Sequence, residues 1–309
     1  MREREFYLPS SDGKTKLRCV EWMPDGNVRA WVQLVHGMNE HMGRYREFAG
    51  FLAARGIAVL GHDCLGHGKT ARPKANMGSF AAERGERYLI RDIRRVARFG
   101  RRKYPGLRHI LLGHSMGSFL VRRYLSVYGD DPDGVILLGT GFPSPVFIKE
   151  GQRLADAVCH FRGRRYKSRI LYDLSLGAYN RKFRPVKTAY DWLTRDEARA
   201  KQFSSDPLCD FRFSAGAYRD FFQVILDAQR AEKKGAFRHQ IPVLILAGDR
   251  DTVGENARGV RRLAGIYERA GVRDLTLGLY KGARHELLNE TNRAEVFGDL
   301  FEWISDRIS

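Results

Sequence analysis

The sequence predicts an α/β protein in which a mainly parallel central sheet is covered by helices on both faces. Three observations lead to this prediction. Short, almost wholly apolar runs recur along the 309 residues, amphipathic helical patterns lie between them, and one long interval between residues 139 and 243 interrupts the alternation. Strands that are apolar on both faces are typical of parallel sheets, which helices cover on each side.

Six apolar runs are predicted to form the parallel strands, because each is short and each gives way to small or polar residues. Before them, residues 5–8 and 17–22 flank a Ser-Ser-Asp-Gly turn signal and predict an antiparallel hairpin at the sheet edge. The six runs are AWVQLVHG at 30–37, IAVLGHD at 57–63, RHILLGHS at 108–115, VILLGTG at 135–141, VLILAGD at 243–249 and LTLGLYKG at 275–282.

Helical patterns separate these strands. In residues 45–56 the apolar side chains share one face before a terminating Gly56, and in residues 89–104 they recur at helical spacing. The second pattern places most of its arginines on the opposite, hydrated face. The apolar positions are Phe48, Phe51 and Leu52 in the first segment, and Ile90, Ile93, Val96 and Ala97 in the second.

The long interval is too extended for a simple connection and predicts an insertion. We divide the chain into a core of residues 1–141 and 236–309 and an inserted helical cap of residues 142–235. The cap is rich in Phe, Tyr and Trp, and its residues 215–235 have a helical pattern. Most of these aromatic side chains are expected to form the core of the cap, and a minority to line a tunnel.

Composition bounds the class of protein. A chain of 309 residues with 43% apolar composition can bury a substantial core. The four cysteines form no CxxC pair, so neither a zinc site nor a disulfide framework is predicted. Residues 1–17 lack the apolar core of a signal peptide and no run is long enough to span a membrane, so we expect a cytoplasmic protein.

The formal net charge of +18 concerns partners and not the fold. It indicates either attraction to anionic surfaces, such as phospholipid or nucleic acid, or a hydrated surface rich in arginine. The helical placement of the arginines in residues 89–104 favours the hydrated surface. No nucleic-acid motif accompanies the charge, so no specific nucleic-acid partner is expected, while peripheral contact with an anionic membrane surface stays open.

The main chemical signal is Gly113-His114-Ser115-Met116-Gly117, which follows an apolar strand and precedes a helical pattern. A nucleophile on such a sharp turn has a strained backbone, so Gly113 and Gly117 provide the room that side chains would fill. The following helix directs its positive end at charge that develops during acyl transfer. The alternative is a structural serine in a tight turn.

A serine hydroxyl needs a base, and the base needs an orienting carboxylate. His285 follows the last predicted strand and precedes ELLNE, which we expect to start a helix. Asp249 and Asp251 both follow the preceding strand, and spacing alone leaves both open as the acid. The order Ser, Asp, His along the chain is the one expected for this architecture.

The stretch His36-Gly37-Met38-Asn39 follows the first long strand, where this architecture places its second oxyanion donor. The backbone N–H groups of Met38 and Met116 are therefore predicted to hold a developing oxyanion. A second reading, a metal site, would use a group of side chains with no compact ligand spacing, so no metal is predicted. These side chains are His36, His41, His62, Asp63 and His67.

Five stretches spread over nearly the whole chain form a recognisable set of motifs: HGMNEHMGRY at 36–45, GHDCLGHGKT at 61–70, GHSMGS at 113–118, GDRD at 248–251 and RHELLNE at 284–290. Together they resemble the monoacylglycerol lipase and lysophospholipase branch of the α/β-hydrolases, which is grouped with serine aminopeptidases. One segment, the basic FRGRRYKSR at 161–169, is not among the motifs of that family; it either meets an anionic head group or faces water.

The resemblance implies an α/β-hydrolase fold and a serine hydrolase that needs no cofactor and cleaves carboxylic esters of lipid-like molecules through an acyl-enzyme. It implies Ser115 as nucleophile, His285 as base and Asp251, which closes a GxxD pattern, as the acid. Three rivals remain: a hydrolase of small peptide amides with the same triad, a non-catalytic binding protein on the same fold, and a nucleic-acid binder suggested by charge alone. Binding proteins on this fold commonly lose triad members, and none is missing here.

Overall fold

The computed structural model describes residues 1–129, 132–183 and 185–308, and its strands form one eight-stranded sheet. Every apolar run predicted as a strand forms one, and the predicted N-terminal hairpin is present. The strands are β1 Arg2–Pro9, β2 Lys16–Met23, β3 Ala30–Val35, β4 Ile57–His62, β5 Arg108–His114, β6 Gly134–Leu138, β7 Val243–Gly248 and β8 Leu275–Tyr280.

The strand order is β1-β2-β4-β3-β5-β6-β7-β8. The pairs β1·β2 and β2·β4 are antiparallel, and all later pairs are parallel. The carboxyl ends of β3, β5, β7 and β8 therefore open onto the same edge of the sheet, where loops from distant parts of the chain meet.

Helices connect the strands and cover the sheet. The pattern in residues 89–104 is confirmed, since Ile93 and Val96 are buried while Arg91, Arg95 and Arg98 are exposed. The α-helices are α1 Arg46–Ala53, α2 Gly85–Lys103, α3 Met116–Val127, α4 Pro145–Arg162, α5 Arg169–Leu174, α6 Leu176–Tyr179, α7 Glu197–Ser205, α8 Ala215–Lys233, α9 Arg258–Arg269 and α10 Arg293–Ser305.

Two apolar layers lie on opposite faces of the sheet, as the strand periodicity requires. Leu60 and Ile245 pack with residues of α2, α3 and α9 in one layer. Their neighbours Val59 and Leu246 point the other way and pack with residues of α1 and α10. The prediction of helices on both faces is thus confirmed, and the architecture is an α/β-hydrolase fold.

The segment between β6 and β7 supplies α4 to α8 and no strand among its described residues. A buried ion pair ties it to the core: Arg122 of α3 donates to both carboxylate oxygens of Glu232 at 2.7 Å. Both side chains are fully buried. Residues 142–235 are called the cap below, and the division into core and cap stays a prediction.

No helix in the described part of the chain combines the length and the apolar character that crossing a bilayer requires.

Candidate active site

Ser115 occupies the sharp turn between β5 and α3. Its φ of 51° and ψ of −118° place a residue with a side chain in a strained region. A Cβ on Gly113 would lie 2.6 Å from the carbonyl oxygen of Gly117, and a Cβ on Gly117 would lie against the carbonyl oxygen of Val35. The strand, turn and helix predicted around Ser115 are therefore present, and glycine is required on both sides.

The side chains of Ser115, His285 and Asp251 converge at the carboxyl edge of the sheet. Nε2 of His285 lies 2.7 Å from Oγ of Ser115, and Nδ1 lies 3.0 Å from Oδ2 of Asp251. Asp251 and His285 are buried, and the other oxygen of Asp251 accepts the N–H of Val253 at 2.8 Å. This arrangement can pass the hydroxyl proton to the imidazole while the carboxylate holds the opposite ring N–H.

Asp249 has a different task from Asp251. Its Oδ1 accepts the backbone N–H of Gly282 at 2.7 Å, which fixes the turn that follows β8. Of the two carboxylates that spacing left open, only that of Asp251 contacts His285, and its role as the acid stays a prediction.

The prediction of a helix directly after His285 is wrong. Leu287–Asn289 forms a single 3₁₀ turn, and α10 begins at Arg293. The physical reason is Glu290, whose buried carboxylate accepts the backbone N–H of Arg284 at 2.8 Å and that of Thr291 at 2.9 Å. These bonds hold the segment around His285 as a loop instead of a helix.

Met38 and Met116, the predicted oxyanion donors, come from two elements that meet at Ser115. Met116 is the first residue of α3, where backbone N–H groups have no acceptor within the helix. Met38 lies in the loop after β3 and lines the same cavity as Ser115 and Met116. The structure brings the two residues together, and their use as oxyanion donors stays a prediction.

Glu40 organises the loop that carries Met38, and sequence reasoning gave it no role. Its Oε1 accepts bonds from the backbone N–H of Gly37 and from the Tyr45 hydroxyl at 2.7 Å, and lies 2.7 Å from Nδ1 of His114. Burial opposes charge on both partners, yet the His114 imidazolium lowers the pKa of Glu40 and the Glu40 carboxylate raises the pKa of His114. The available signal was that Glu40 is the one acidic residue in the stretch HGMNEHMGRY at 36–45.

The same loop is tied to the cap and to the His285 loop. Asn39 has a φ of 58°, and its side-chain amide donates to the carbonyl oxygens of Cys209, at 3.0 Å, and Phe211. Arg44 donates to both carboxylate oxygens of Glu286 at 2.6 and 2.7 Å. These contacts hold the three loops of the site in one arrangement.

Most of the histidines and acids weighed as metal ligands serve the loops after β3 and β4. Nε2 of His36 accepts the N–H of Cys64 at 2.9 Å. Asp63 accepts the N–H of Met42 at 2.8 Å and that of Lys69 at 2.9 Å. These side chains therefore satisfy backbone groups of tight turns.

A different group, formed by His41, Asp206 and Cys209, has potential ligand atoms within 4.8 Å of one another. Nε2 of His41 is hydrogen-bonded to Oδ2 of Asp206 at 2.9 Å. Burial raises the pKa of the Cys209 thiol, which favours its protonated form over the thiolate that binds metals. We assign this group to the contact between the His41 loop and the cap.

Two cavities meet at Ser115. The first, of about 390 Å³, lies mainly between cap helices and α3, and is called the apolar cavity. The second, of about 610 Å³, includes His285 and is called the polar cavity. Met38, Leu176 and Trp192 line both. As predicted, a minority of the cap aromatics line the apolar cavity, and they are Phe147, Tyr179, Trp192, Tyr218, Phe221 and Phe222.

The chain is similar in sequence and in fold to known lipases and esterases. The family model described as serine aminopeptidase, S33, matches residues 26–292. The chain is 27% identical to monoglyceride lipase of Homo sapiens, over 97% of this chain and 90% of that protein. It is 27% identical to monoacylglycerol lipase of Mycolicibacterium smegmatis, over 92% and 90% of the two chains. A thermostable carboxyl esterase from Bacillus coagulans superimposes with a TM-score of 0.92 at 26% identity, over 100% of both chains.

Proposed function

Because this chain belongs to the serine aminopeptidase S33 family and has the α/β-hydrolase fold, we propose that it is a serine hydrolase that cleaves carboxylic esters of single-chain lipids. The observation that carries the proposal is the 2.7 Å contact between Ser115 Oγ and His285 Nε2 at the junction of an apolar and a polar cavity. An ester linkage held there would place its acyl group and its alcohol in different surroundings.

In the proposed reaction, His285 takes the proton of Ser115 as the hydroxyl oxygen attacks the ester carbonyl. The N–H groups of Met38 and Met116 stabilise the oxyanion, and Asp251 stabilises the imidazolium. The ester C–O bond then breaks as the alcohol takes the proton from His285, which leaves the acyl group on Ser115. Water activated by His285 attacks this acyl-enzyme and releases the carboxylic acid.

The lining of the apolar cavity supports a lipid acyl group over the rival peptide substrate. Aliphatic and aromatic side chains dominate it, and Glu150 is its one acidic member among the described residues. Each methylene of an acyl chain that is buried there contributes about 0.8 kcal/mol to the free energy of binding. The relatives named as monoglyceride lipases indicate the same substrate class, a single acyl chain on glycerol.

Activity-based labelling and ester hydrolysis test the proposal together. Wild type should react with a fluorophosphonate probe and hydrolyse para-nitrophenyl esters, and its kcat/KM should rise about fourfold per added methylene until the apolar cavity is full. Ser115→Ala should abolish labelling and lower kcat by about 10⁶. Ser126→Ala, which removes a hydroxyl at the far end of α3, is the matched control. Retained hydrolysis in Ser115→Ala would refute the nucleophile, and faster cleavage of peptide amides would favour the peptidase rival.

We also propose that the outer surface of the cap contacts anionic membranes. Val146, Phe161 and Ile170 are 70%, 79% and 61% exposed, and exposed arginines lie next to the last two in the chain, Arg162 after Phe161 and Arg169 before Ile170. Apolar side chains gain by entering the interface, and basic ones by approaching anionic lipid.

Vesicle sedimentation tests this contact. Binding should require anionic lipid, fade as salt is added, and weaken in the triple variant Val146→Ser, Phe161→Ser, Ile170→Ser. Equal binding of wild type to neutral vesicles would contradict the proposal.

A further inference from the structure

The polar cavity carries positive charge that ester hydrolysis itself does not need. Lys167 and Arg212 line it together with Ser115. Nζ of Lys167 donates to the carbonyl oxygen of Met77 at 2.6 Å, and the Arg212 guanidinium carbon lies 5.6 Å from the ring centre of Tyr172. In the described parts of the chain neither cation forms an ion pair with a carboxylate, so no salt bridge neutralises either charge.

The carboxylates of this cavity do not cancel that charge. They belong to Glu40, Asp210 and Glu286. Both terminal nitrogens of Arg44 donate to the carboxylate of Glu286, and the carboxylate of Glu40 lies 2.7 Å from the His114 imidazole. Only Asp210 therefore opposes the two cations at the outer part of the cavity.

Lys167 differs from its neighbours in the basic segment 161–169, because the arginines there bind elsewhere. Burial, with help from Arg165, lowers the pKa of Lys167. An anionic ligand in the cavity would supply the counter-charge that its ammonium lacks. The arginine contacts are Arg164 with Asp220 at 2.7 Å, Arg165 with the Ala75 carbonyl at 3.0 Å, Arg169 with Asp173 at 3.4 Å, and Arg162 over the Tyr166 ring.

We infer that the polar cavity binds a phosphate-bearing glycerol head group, with Lys167 and Arg212 as the residues that determine this specificity. The inference rests on the proposed function and names its substrate class as single-chain glycerophospholipids with an anionic head. A guanidinium fork suits phosphate oxygens, and an ammonium adds a point charge. The acyl chain lies in the apolar cavity, and glycerol phosphate leaves as the alcohol, protonated by His285, when the acyl group passes to Ser115.

The test compares two soluble esters that differ only in the phosphate, 1-octanoylglycerol 3-phosphate and 1-octanoylglycerol, as monomers in the same buffer. Wild type should have a kcat/KM at least about tenfold higher for the phosphate ester, since charge-assisted hydrogen bonds to phosphate are strong. The double variant Lys167→Gln, Arg212→Gln should remove this preference, mainly through KM. Arg212→Lys should retain part of it. Arg169→Gln, which removes one positive charge outside the cavity from the segment that contains Lys167, should keep it.

Three results separate the possibilities. Equal kcat/KM for the two esters in wild type, or a preference that survives in the double variant, overturns the head-group inference and leaves the esterase proposal standing. A preference lost equally in Arg169→Gln also overturns it, because general charge and not the cavity would then be responsible. Failure of wild type to hydrolyse either ester and to label with a fluorophosphonate contradicts the proposed function itself.

Discussion

The carboxylate of Asp251 lies 3.0 Å from Nδ1 of His285, and the structure buries it completely. The parallel pairing of β7 and β8 allows this contact, because the loops that follow the two strands leave the sheet at the same edge. An aspartate in this position holds the imidazole with Nε2 free to accept a proton.

Asp251→Asn should therefore lower kcat for a soluble ester by about 10⁴, since an amide no longer selects the reactive tautomer or stabilises the imidazolium. Asp249→Asn is the matched control: its amide oxygen can still accept the Gly282 N–H, so activity should stay within about threefold of wild type. Steady-state kinetics with circular dichroism checks both variants. Similar losses in the two variants would count against Asp251 as the orienting acid.

Gly117→Ala tests the turn at Ser115. The added methyl group would press against the carbonyl oxygen of Val35 and lie 2.7 Å from that of His36, which are backbone atoms that cannot move alone. Overpacking of this kind costs about 3 kcal/mol, and we expect strong loss of fluorophosphonate labelling.

Gly298→Ala, in α10, is the control for that substitution. Nothing lies within 4 Å of the added methyl group, so alanine should stabilise the helix by about 1 kcal/mol. Urea denaturation measures both effects, and an unimpaired Gly117→Ala enzyme would contradict the steric argument.

Glu232→Gln should destabilise the protein by about 3–5 kcal/mol, because it leaves the buried guanidinium of Arg122 without a counter-charge. Arg122 also donates to the Gly141 carbonyl at 2.7 Å, so it cannot turn toward water. Tyr267→Phe removes only the 2.9 Å bond from the tyrosine hydroxyl to Glu232 and should cost about 1 kcal/mol. Thermal unfolding distinguishes the variants. Equal shifts in melting temperature would contradict the claim that loss of the counter-charge costs more than loss of one hydrogen bond.

Asp92 predicts a pH dependence of stability. Burial outweighs the hydrogen bonds from Ser10 and Ser11 and raises the pKa of Asp92 from 3.8 to about 6. Between pH 3.8 and about pH 6, Asp92 carries a proton in the folded protein that it has lost in the unfolded chain. The contribution of Asp92 to the free energy of unfolding therefore falls as pH rises. The total fall is about 3 kcal/mol and is complete above pH 6.

Asp92→Asn removes that loss, so its stability relative to wild type should increase from pH 4 to pH 6.5 and then stay constant. Denaturation by urea at fixed pH values measures the difference. Parallel stability curves for the two proteins over this range would show that Asp92 has no raised pKa.

The sequence alone was sufficient for the positions of the strands along the chain, for the helices within residues 45–56 and 89–104, and for the strained turn at Ser115. These features depend on neighbouring residues: on whether side chains repeat every second or fourth position, and on glycine where Gly113 and Gly117 face backbone atoms. Motifs at 36–45 and 284–290 were also enough to indicate the family, although they did not show what Glu40 contacts.

Tertiary packing decided the rest. Asp249 and Asp251 are nearly equivalent along the chain, and only the folded loops direct one to Gly282 and the other to His285. Glu290 replaced an expected helix by a loop because its buried carboxylate binds backbone N–H groups around it. Likewise Lys167 and Arg212 share a cavity only because the cap folds over Ser115. Such relationships join residues far apart in sequence, so local periodicity carries no information about them, and their distances follow from which surfaces the whole chain buries.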